Sequence, residues 1–168
     1  FYLTNGEAAM VEKVKANFKN VIVVMNVGGM VDTSWFKDCK EIPAVLMAWQ
    51  GGMEGGLAAA DVVTGDVNPS GKLADTFAAR LEDYPSTENF HESVEYVDYT
   101  EDIYVGYRYY ATVGKTMRFP FGYGLSYTTF EYKDLKIDTE GVTFTIKNTG
   151  NVAGTEIAQL YVGKSSET

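Results

Sequence analysis

The 168-residue sequence has few of the side chains that most often carry chemistry in small enzymes. It contains one cysteine, Cys39, so an internal disulfide bond and a multi-cysteine metal site are both excluded. It contains one histidine, His91, which lies far from Cys39 in a polar stretch. A histidine-based hydrolase triad and most zinc sites are therefore not expected. We interpret Cys39 as a buried or inert core residue, and we expect no metal and no cofactor.

Basic residues are also in the minority, with 14 lysines and arginines against 23 aspartates and glutamates and a formal net charge of −9. Proteins capture nucleic-acid phosphates with clustered basic side chains, so this charge argues against a nucleic-acid partner. No apolar run approaches the roughly 20 residues of a membrane span, so no membrane partner is expected. A hydrophobic fraction of 45% with 22% charged residues is typical of a globular protein with a substantial core.

The first fifty residues alternate helix and strand patterns. Thr4 and Glu7 have the spacing of a capping box, and the apolar residues that follow predict an amphipathic helix over 6–18. Apolar runs at 21–27 and 42–49 predict two strands buried on both faces of a parallel sheet. Helix, strand and strand in this arrangement are typical of an α/β domain.

The next thirty residues extend the same alternation. A short helix is predicted between the two strands, within 31–38, and a second helix over 53–63 that ends at Gly65. A turn predicted from Asn68 to Gly71 then precedes a short strand predicted over 72–77. The expected fold of this part is therefore a partial α/β/α sandwich with a mostly parallel sheet.

The composition and periodicity of the sequence change after this α/β part. Residues 80–102 are acidic, contain Pro85 and lack clean periodicity, which predicts a long surface connection. The stretch IYVGYRYY at 103–110 is rich in aromatic residues, and we interpret it as interdomain packing rather than a platform for sugars or nucleic acid. Arg108 is expected to stack among these rings or to pair with a nearby carboxylate.

The C-terminal part has the two-residue alternation of β-strands. FEYKDLKI at 130–137, VTFTIKN at 142–148 and EIAQLYVG at 156–163 predict three strands of an antiparallel sheet. A complete immunoglobulin-like sandwich needs about 100 residues, and the alternating part is much shorter, so an incomplete β-sandwich is expected. The aromatic and glycine-rich stretch PFGYGLSYTTFEY at 120–132 would join it to the α/β part, with rings filling the space between domains.

Four stretches in this order resemble glycoside hydrolase family 3, the β-glucosidases and their relatives. They are VIVVMNVGGMVDTSW at 21–35, AWQGGMEGGLAAADVVTGDVNPSGKLADTFA at 48–78, YTEDIYVGYRYY at 99–110 and PFGYGLSYTTFEY at 120–132. The resemblance covers essentially the whole chain.

The resemblance implies a division of the chain into three parts. Residues 1–79 would be the later part of the family's α/β sandwich domain, and 80–127 an interdomain connection. Residues 128–168 would begin a fibronectin type III-like domain that is incomplete here. The rest of the protein, including a barrel domain, would lie outside these 168 residues.

The resemblance also implies an activity, namely that of a retaining, exo-acting β-glycosidase, in the first place a β-glucosidase that hydrolyses terminal β-linked sugars. In that family the nucleophile is an aspartate of the barrel domain. The acid/base glutamate of similar members lies in a Gly-Tyr-Asp-Arg context just before the segment that here begins FYLTNGE, and no such context occurs in this sequence. Neither catalytic carboxylate is therefore expected in this chain, which would be inactive by itself.

Four residues are candidates for the rim of a substrate cleft. Asn26 ends the first predicted strand, Trp49 and Gln50 follow the second, and Glu54 lies in GGMEGG at a helix start. Ligands of α/β sheets bind outside the carboxyl ends of parallel strands, where these residues fall. The alternatives are packing for Trp49 and interaction with the helix dipole for Glu54.

The sequence is also compatible with a second functional class. The chain could be a non-catalytic carbohydrate-binding or adaptor module that uses the Trp49 rim and the β-sandwich. An unfinished sandwich would leave an open edge and an uncovered apolar face, so we also expect the chain to self-associate or to pair with a missing segment.

Overall fold

The computed structural model describes residues 1–163. The helices and strands alternate in the first part of the chain, and an antiparallel hairpin follows in the second. The elements are α1 (Asn5–Asn17), β1 (Ile22–Met25), β2 (Ala44–Met47), α2 (Gly55–Thr64), β3 (Phe77–Ala78), α3 (Tyr107–Val113), β4 (Met117–Phe119), β5 (Phe130–Ile137) and β6 (Val142–Asn148), with short 3-10 turns at Leu81–Asp83 and Pro85–Thr87.

Helix α1 begins where the capping pattern predicts. The Glu7 backbone N–H donates to Thr4 Oγ1 at 3.3 Å, and the Thr4 backbone N–H donates to Glu7 Oε2 at 2.8 Å. These reciprocal bonds satisfy donors that a helix N-terminus otherwise leaves free. They also hold the pKa of Glu7 below its usual value, chiefly through the Thr4 backbone hydrogen bond.

Strands β1 and β2 pair in parallel, from Ile22 opposite Ala44 to Met25 opposite Met47. The parallel pair between flanking helices confirms the α/β class. The prediction that these strands are buried on both faces was wrong for the described residues, since Ile22 and Val24 are about half exposed on one side of the pair. The opposite side packs on a core of Val21, Phe36 and Ile42, against which half-buried Cys39 also lies; the other partly buried members are Val11, Val14, Val23, Trp35, Val45 and Phe119.

The short helix expected within 31–38 is absent, and this prediction was wrong. The Ser34 backbone N–H and hydroxyl donate to the Asp32 carboxylate at 2.9 and 2.7 Å, and the Lys37 N–H donates to the Thr33 carbonyl at 2.9 Å, so the stretch forms one turn that begins like a capped helix. Asp38 then has a φ of 66°, which is incompatible with a continuing α-helix.

Helix α2 and its end agree with the prediction within two residues, and Gly65 ends it with a φ of 87°. The strand predicted over 72–77 is reduced to Phe77–Ala78, which pairs with β4. The reason is that Leu73 exchanges backbone hydrogen bonds with Gly122 and Tyr123 instead, at 2.7 and 2.8 Å. The chain there contacts the glycine-rich segment and does not continue the β3–β4 ladder.

The connection after β3 contains buried contacts that its composition did not predict. The Tyr110 hydroxyl of α3 is buried and donates to the Asp83 backbone oxygen at 3.0 Å. Burial raises the pKa of Tyr110 well above its usual value. The hydrogen bond from Arg80 lowers the pKa of the Asp83 carboxyl, which Lys115 also approaches to 3.6 Å. These contacts fix α3 against the 3-10 turns.

Two of the three predicted C-terminal strands form. Strands β5 and β6 pair antiparallel, with a register shift between Lys133 and Lys136 where Asp134 has a φ of 57°. The third prediction was wrong, because residues 156–163 form no strand in the structure. Side chains hold this segment against other parts of the chain: Glu156 contacts Lys72, and Tyr161 packs on Tyr107. Residues 164–168, at the end of the predicted sandwich part, lie outside the described residues.

Within residues 1–163, no helix is long and apolar enough to cross a bilayer.

Candidate functional site

The ends of β1 and β2 bring three of the four rim candidates to one edge of the sheet. Met25 lies opposite Met47, and the Ala48 backbone N–H donates to the Met25 carbonyl at 3.0 Å. Asn26 and Trp49 therefore leave neighbouring strands at the same edge. This is the edge at which parallel α/β sheets bind ligands.

Trp49 has an unusual backbone conformation at this edge. Its φ of 52° lies in the left-handed region, which costs a bulky residue about 1–3 kcal/mol and persists only where surrounding contacts enforce it. Its half-buried ring lies 6.3 Å from the Phe77 ring, a contact of the kind that the packing alternative expects. The strained backbone turns the chain sharply from β2 into the glycine-rich loop that follows.

Gln50 links the loops that follow the two strands. Its side chain lies over Gly28, where an added Cβ would meet Gln50 Nε2 at 3.0 Å. The loop then folds back so closely that a Cβ on Gly51 would meet the Gly55 Cα at 2.7 Å. Glycine at position 51 thus lets two backbones approach closely, and glycine at position 28 leaves room for the exposed Gln50 amide at the rim.

Glu54 occupies the N-cap position of α2, with its side chain exposed and no side-chain capping hydrogen bond. An acidic side chain at a helix N-terminus is favoured by the helix dipole even without such a bond. The preceding Met53 is fully exposed and was not identified from the sequence. The sequence feature that could have identified Met53 is an apolar residue placed between two glycines and a glutamate, in a loop that follows a strand.

The rim can bind hydroxyl groups and an apolar sugar face, but its own residues do not suffice for glycoside hydrolysis. Amides of Asn26 and Gln50 can donate and accept hydrogen bonds, and an indole can pack on the apolar face of a pyranose ring. Retaining hydrolysis needs two carboxyl groups about 5–5.5 Å apart. Glu54 is one carboxylate among the four rim candidates, so a second would have to come from elsewhere.

A second constellation joins the α/β part to the hairpin, and sequence reasoning missed its central residues. Asn68 Oδ1 accepts hydrogen bonds from the Ser126 hydroxyl at 3.0 Å and the Tyr127 backbone N–H at 2.8 Å. Asn68 Nδ2 donates to the Ala153 carbonyl at 3.0 Å. One amide thus binds three positions beyond residue 120. The sequence showed Asn68 only as a turn residue, because its partners are distant along the chain.

Lys72 reinforces the same contact. Its Nζ donates to the Gly124 carbonyl at 2.8 Å and lies 3.4 Å from Glu156 Oε2, with both side chains largely buried. The Tyr132 hydroxyl donates to the other oxygen of Glu156 at 3.1 Å. A Cβ on Gly124 would overlap the Gly71 carbonyl oxygen, so glycine is required where these two backbones meet.

Aromatic rings of segment 120–132 pack on both sides of this contact, as the sequence suggested. Phe121 lies 5.2 Å from Tyr107 of α3, and Tyr161 packs edge-on against Tyr107 at 5.6 Å. Tyr123 lies 5.0 Å from Phe119 of β4. Residues 120–132 therefore hold the connection, the α/β part and the C-terminal segment together.

The fold and this rim define an α/β domain of the kind that binds ligands at the carboxyl edge of its strands, followed by a β-hairpin. Comparison with protein-family models finds a match to "Glycosyl hydrolase family 3 C-terminal domain" over residues 1–127. The chain belongs to glycosyl hydrolase family 3, as the four motifs predicted.

Curated relatives support the same assignment. The chain is 57% identical to beta-glucosidase A of Butyrivibrio fibrisolvens, over 96% of this chain and 22% of that protein. It is 45% identical to thermostable beta-glucosidase B of Acetivibrio thermocellus, over 91% of this chain and 21% of that protein. The chain thus spans about a fifth of the length of these relatives.

Solved structures have the same fold over most of the chain. Beta-glucosidase 3B from Thermotoga neapolitana, in complex with glucose, matches with a TM-score of 0.83 and 44% identity, over 91% of this chain and 23% of that one. A beta-glucosidase from Paenibacillus barengoltzii matches with a TM-score of 0.79 and 49% identity, over 88% of this chain and 17% of that one.

Proposed function

We propose that this chain is the C-terminal portion of a retaining, exo-acting β-glycosidase, specifically a β-glucosidase that hydrolyses terminal β-linked sugars. The observation that carries the proposal is the 57% identity to a beta-glucosidase across nearly the whole chain. The substrate is a β-glucoside or a related oligosaccharide. The chain acts together with a barrel domain that supplies the nucleophile, and it contributes no catalytic carboxylate of its own.

The chain's own role is to form one wall of the substrate cleft. Asn26, Trp49, Gln50 and Glu54 are at the rim, where amides and the carboxylate bind sugar hydroxyls and the indole packs on a pyranose. The support is the placement of Asn26, Trp49 and Gln50 beside the carboxyl ends of β1 and β2, the position of Glu54 at the start of α2, and the strained backbone of Trp49.

The three-part division belongs to this proposal. Residues 1–79 complete an α/β sandwich domain, 80–127 connect it, and 128–168 begin a fibronectin type III-like domain. The exposed apolar side chains on β1 and on the hairpin support the need for further covering segments, since Ile22 is 52%, Leu135 65% and Ile137 73% exposed. The isolated chain would cover these surfaces by self-association.

Complementation tests the proposed function directly. The 168-residue chain is assayed on an aryl β-glucoside alone, and again after mixing with a separately produced segment that carries the barrel and the loop preceding Phe1. We expect no hydrolysis by the chain alone and recovered hydrolysis on mixing. Sedimentation should show self-associated chain before mixing and a defined complex afterwards.

Two outcomes would contradict the proposal. Hydrolysis by the chain alone would place a carboxylate pair within it, and Glu54→Gln would then be the first variant to assay. A stable complex without hydrolysis of any β-glucoside, β-xyloside or β-N-acetylglucosaminide would refute the glycosidase assignment. The matched negative control is a barrel segment in which the nucleophilic aspartate is replaced by asparagine.

The rim proposal predicts a change in substrate affinity. In the reconstituted enzyme, Trp49→Ala is expected to raise KM for an aryl β-glucoside about ten-fold, since it removes an aromatic contact with the sugar. Trp49→Phe keeps a ring and should restore most of the affinity. Circular dichroism checks that both variants fold, because Trp49 also packs near Phe77. Equal KM values for wild type and Trp49→Ala would exclude sugar contact.

A further inference from the structure

A cleft outside the rim lies between α3 and the connection that precedes it. It has a volume of about 290 Å³ and is lined by Pro85, Thr100, Glu101, Tyr104, Tyr109 and Val113. None of these residues belongs to the rim or to the Asn68 contact. The lining is mostly apolar, with a carboxylate, a threonine hydroxyl and two phenol groups as its polar atoms.

The walls of the cleft are held by specific contacts. On the helix side, the buried Tyr110 hydroxyl anchors α3 to the Asp83 carbonyl, which places the neighbouring Tyr109 at the cleft. On the loop side, Asn89 Nδ2 donates to the Asp98 carbonyl at 2.6 Å and to Thr100 Oγ1 at 3.3 Å. Both walls are therefore positioned before any ligand binds, which reduces the entropy cost of binding.

The loop turns sharply at the cleft. Asp102 has a φ of 48°, in the left-handed region, and its backbone N–H donates to the Tyr99 carbonyl at 3.3 Å. The Tyr104 N–H donates to the Glu101 carbonyl at 2.8 Å. This turn places the Glu101 side chain and the Tyr104 ring on the same cleft. Backbone in this conformation is more common at binding sites than elsewhere.

The chemistry of the lining distinguishes between kinds of ligand. A carboxylate repels an anion, so phosphates and acidic groups are disfavoured. Aromatic rings with a carboxylate could hold an organic cation, but Lys115 Nζ already lies 5.5 Å from the Tyr109 ring centroid. A second cation beside that ammonium would be repelled. A neutral ligand with an apolar face and several hydroxyls fits both the rings and the polar atoms.

We propose that this cleft binds one neutral pyranose ring, as a second carbohydrate site separate from the rim. The Tyr104 and Tyr109 rings contact the apolar face of the sugar. The Glu101 carboxylate and the Thr100 hydroxyl bind its hydroxyl groups. The volume is near the lower end of ligand pockets, which limits the site to a single ring. The inference does not depend on the proposed glycosidase activity.

Titration of the isotope-labelled 168-residue chain with methyl β-D-glucopyranoside tests the site by NMR. We expect saturable shifts of backbone amides in 100–104 and 109–113. Glu101→Gln keeps the shape of the side chain and should weaken binding about ten-fold, because it removes charge-assisted hydrogen bonds. Tyr109→Ala should weaken it about five-fold. Tyr99→Ala removes a tyrosine that is 81% exposed and outside the cleft, and it should leave the affinity unchanged.

Three results would overturn the proposal. One is the absence of saturable shifts in these two ranges, including the case in which all shifts map to the Trp49 rim. Another is equal affinity in wild type, Glu101→Gln and Tyr109→Ala. The third is saturation by tetramethylammonium but not by the glucoside, which would make the cleft a cation site. Because no step requires hydrolysis, a negative result here would leave the complementation result intact.

Discussion

Replacement of Phe77 by alanine is expected to lower the free energy of unfolding of this chain by about 4 kcal/mol. Phe77 is 1% exposed and is one of the most deeply buried side chains in the described residues. Its ring lies 6.3 Å from Trp49 and 6.2 Å from Phe119. Truncation would remove both aromatic contacts and leave a cavity between the rim and the β3–β4 pair.

Urea unfolding followed by tryptophan fluorescence measures this effect. Phe77→Leu fills most of the same volume without a ring and should cost about 1.5 kcal/mol. Because Trp49 is a neighbour, Phe77→Ala should also change the native emission spectrum, whereas the distant Val94→Ala, at a fully exposed position, should change neither quantity. A cost for Phe77→Ala no larger than that for Phe77→Leu would contradict the prediction, because it would show that the cavity left by alanine adds nothing to the loss of the ring.

Replacement of Asn68 by alanine is expected to cost about 3 kcal/mol, from three lost hydrogen bonds at about 1 kcal/mol each. The partners left behind are the Ser126 hydroxyl, the Tyr127 backbone N–H and the Ala153 carbonyl. All three lie beyond residue 120, so the substitution weakens the attachment of the hairpin more than it weakens the α/β core. Proteolysis near 125–130 should therefore become faster in the variant.

Ser126→Ala is the comparison variant, since it keeps the Tyr127 and Ala153 bonds. It removes the bond to Asn68 and the 3.3 Å bond that the Thr128 N–H donates to the Ser126 hydroxyl, so it should cost about 1–2 kcal/mol. Both variants are compared by urea unfolding and by limited proteolysis. If Asn68→Ala cost no more than Ser126→Ala, the Tyr127 and Ala153 bonds would not contribute to stability. The Asn68 contact would then be incidental to the attachment of the hairpin.

Local patterns predicted the elements whose causes are local. The start of α1 follows from the Thr4 and Glu7 spacing, and the end of α2 follows from Gly65. The parallel pairing of β1 with β2 follows from two continuous apolar runs flanked by helices. The hairpin β5–β6 follows from alternation in two neighbouring segments. In each case the deciding residues lie within one element or its immediate neighbours.

The failed predictions have causes that the local sequence pattern does not describe. EIAQLYVG alternates like a strand, yet Glu156 is held by Lys72 and Tyr132, and Tyr161 packs on Tyr107. The short helix within 31–38 stops after one turn because Asp38 has a φ of 66°, although the Asp32 side chain caps its start. Local propensity predicts neither the distant contacts of Glu156 and Tyr161 nor the left-handed backbone of Asp38.

Some features of the candidate site could likewise be predicted from the sequence, and others could not. The positions of Asn26, Trp49 and Gln50 after two parallel strands could be predicted, because strand ends of a parallel sheet meet at one edge. The left-handed backbone of Trp49 and the approach of Gln50 to Gly28 could not, since both depend on how the two loops pack. The cleft beside Tyr109 was also hidden, because half of its lining comes from a stretch without periodicity.

The family, the α/β class, the N-cap of α1 and the C-cap of α2 could all be predicted from the sequence, and the resemblance implies that both catalytic carboxylates lie outside this chain. Motifs and caps are properties of neighbouring residues, so they can be read in order along the chain. The packing of the whole fold set two other outcomes: Asn68 binds residues 58 to 85 positions away, and residues 156–163 do not pair as a strand. Those outcomes depend on which buried polar groups and apolar faces find partners across the fold, a balance that no single segment contains.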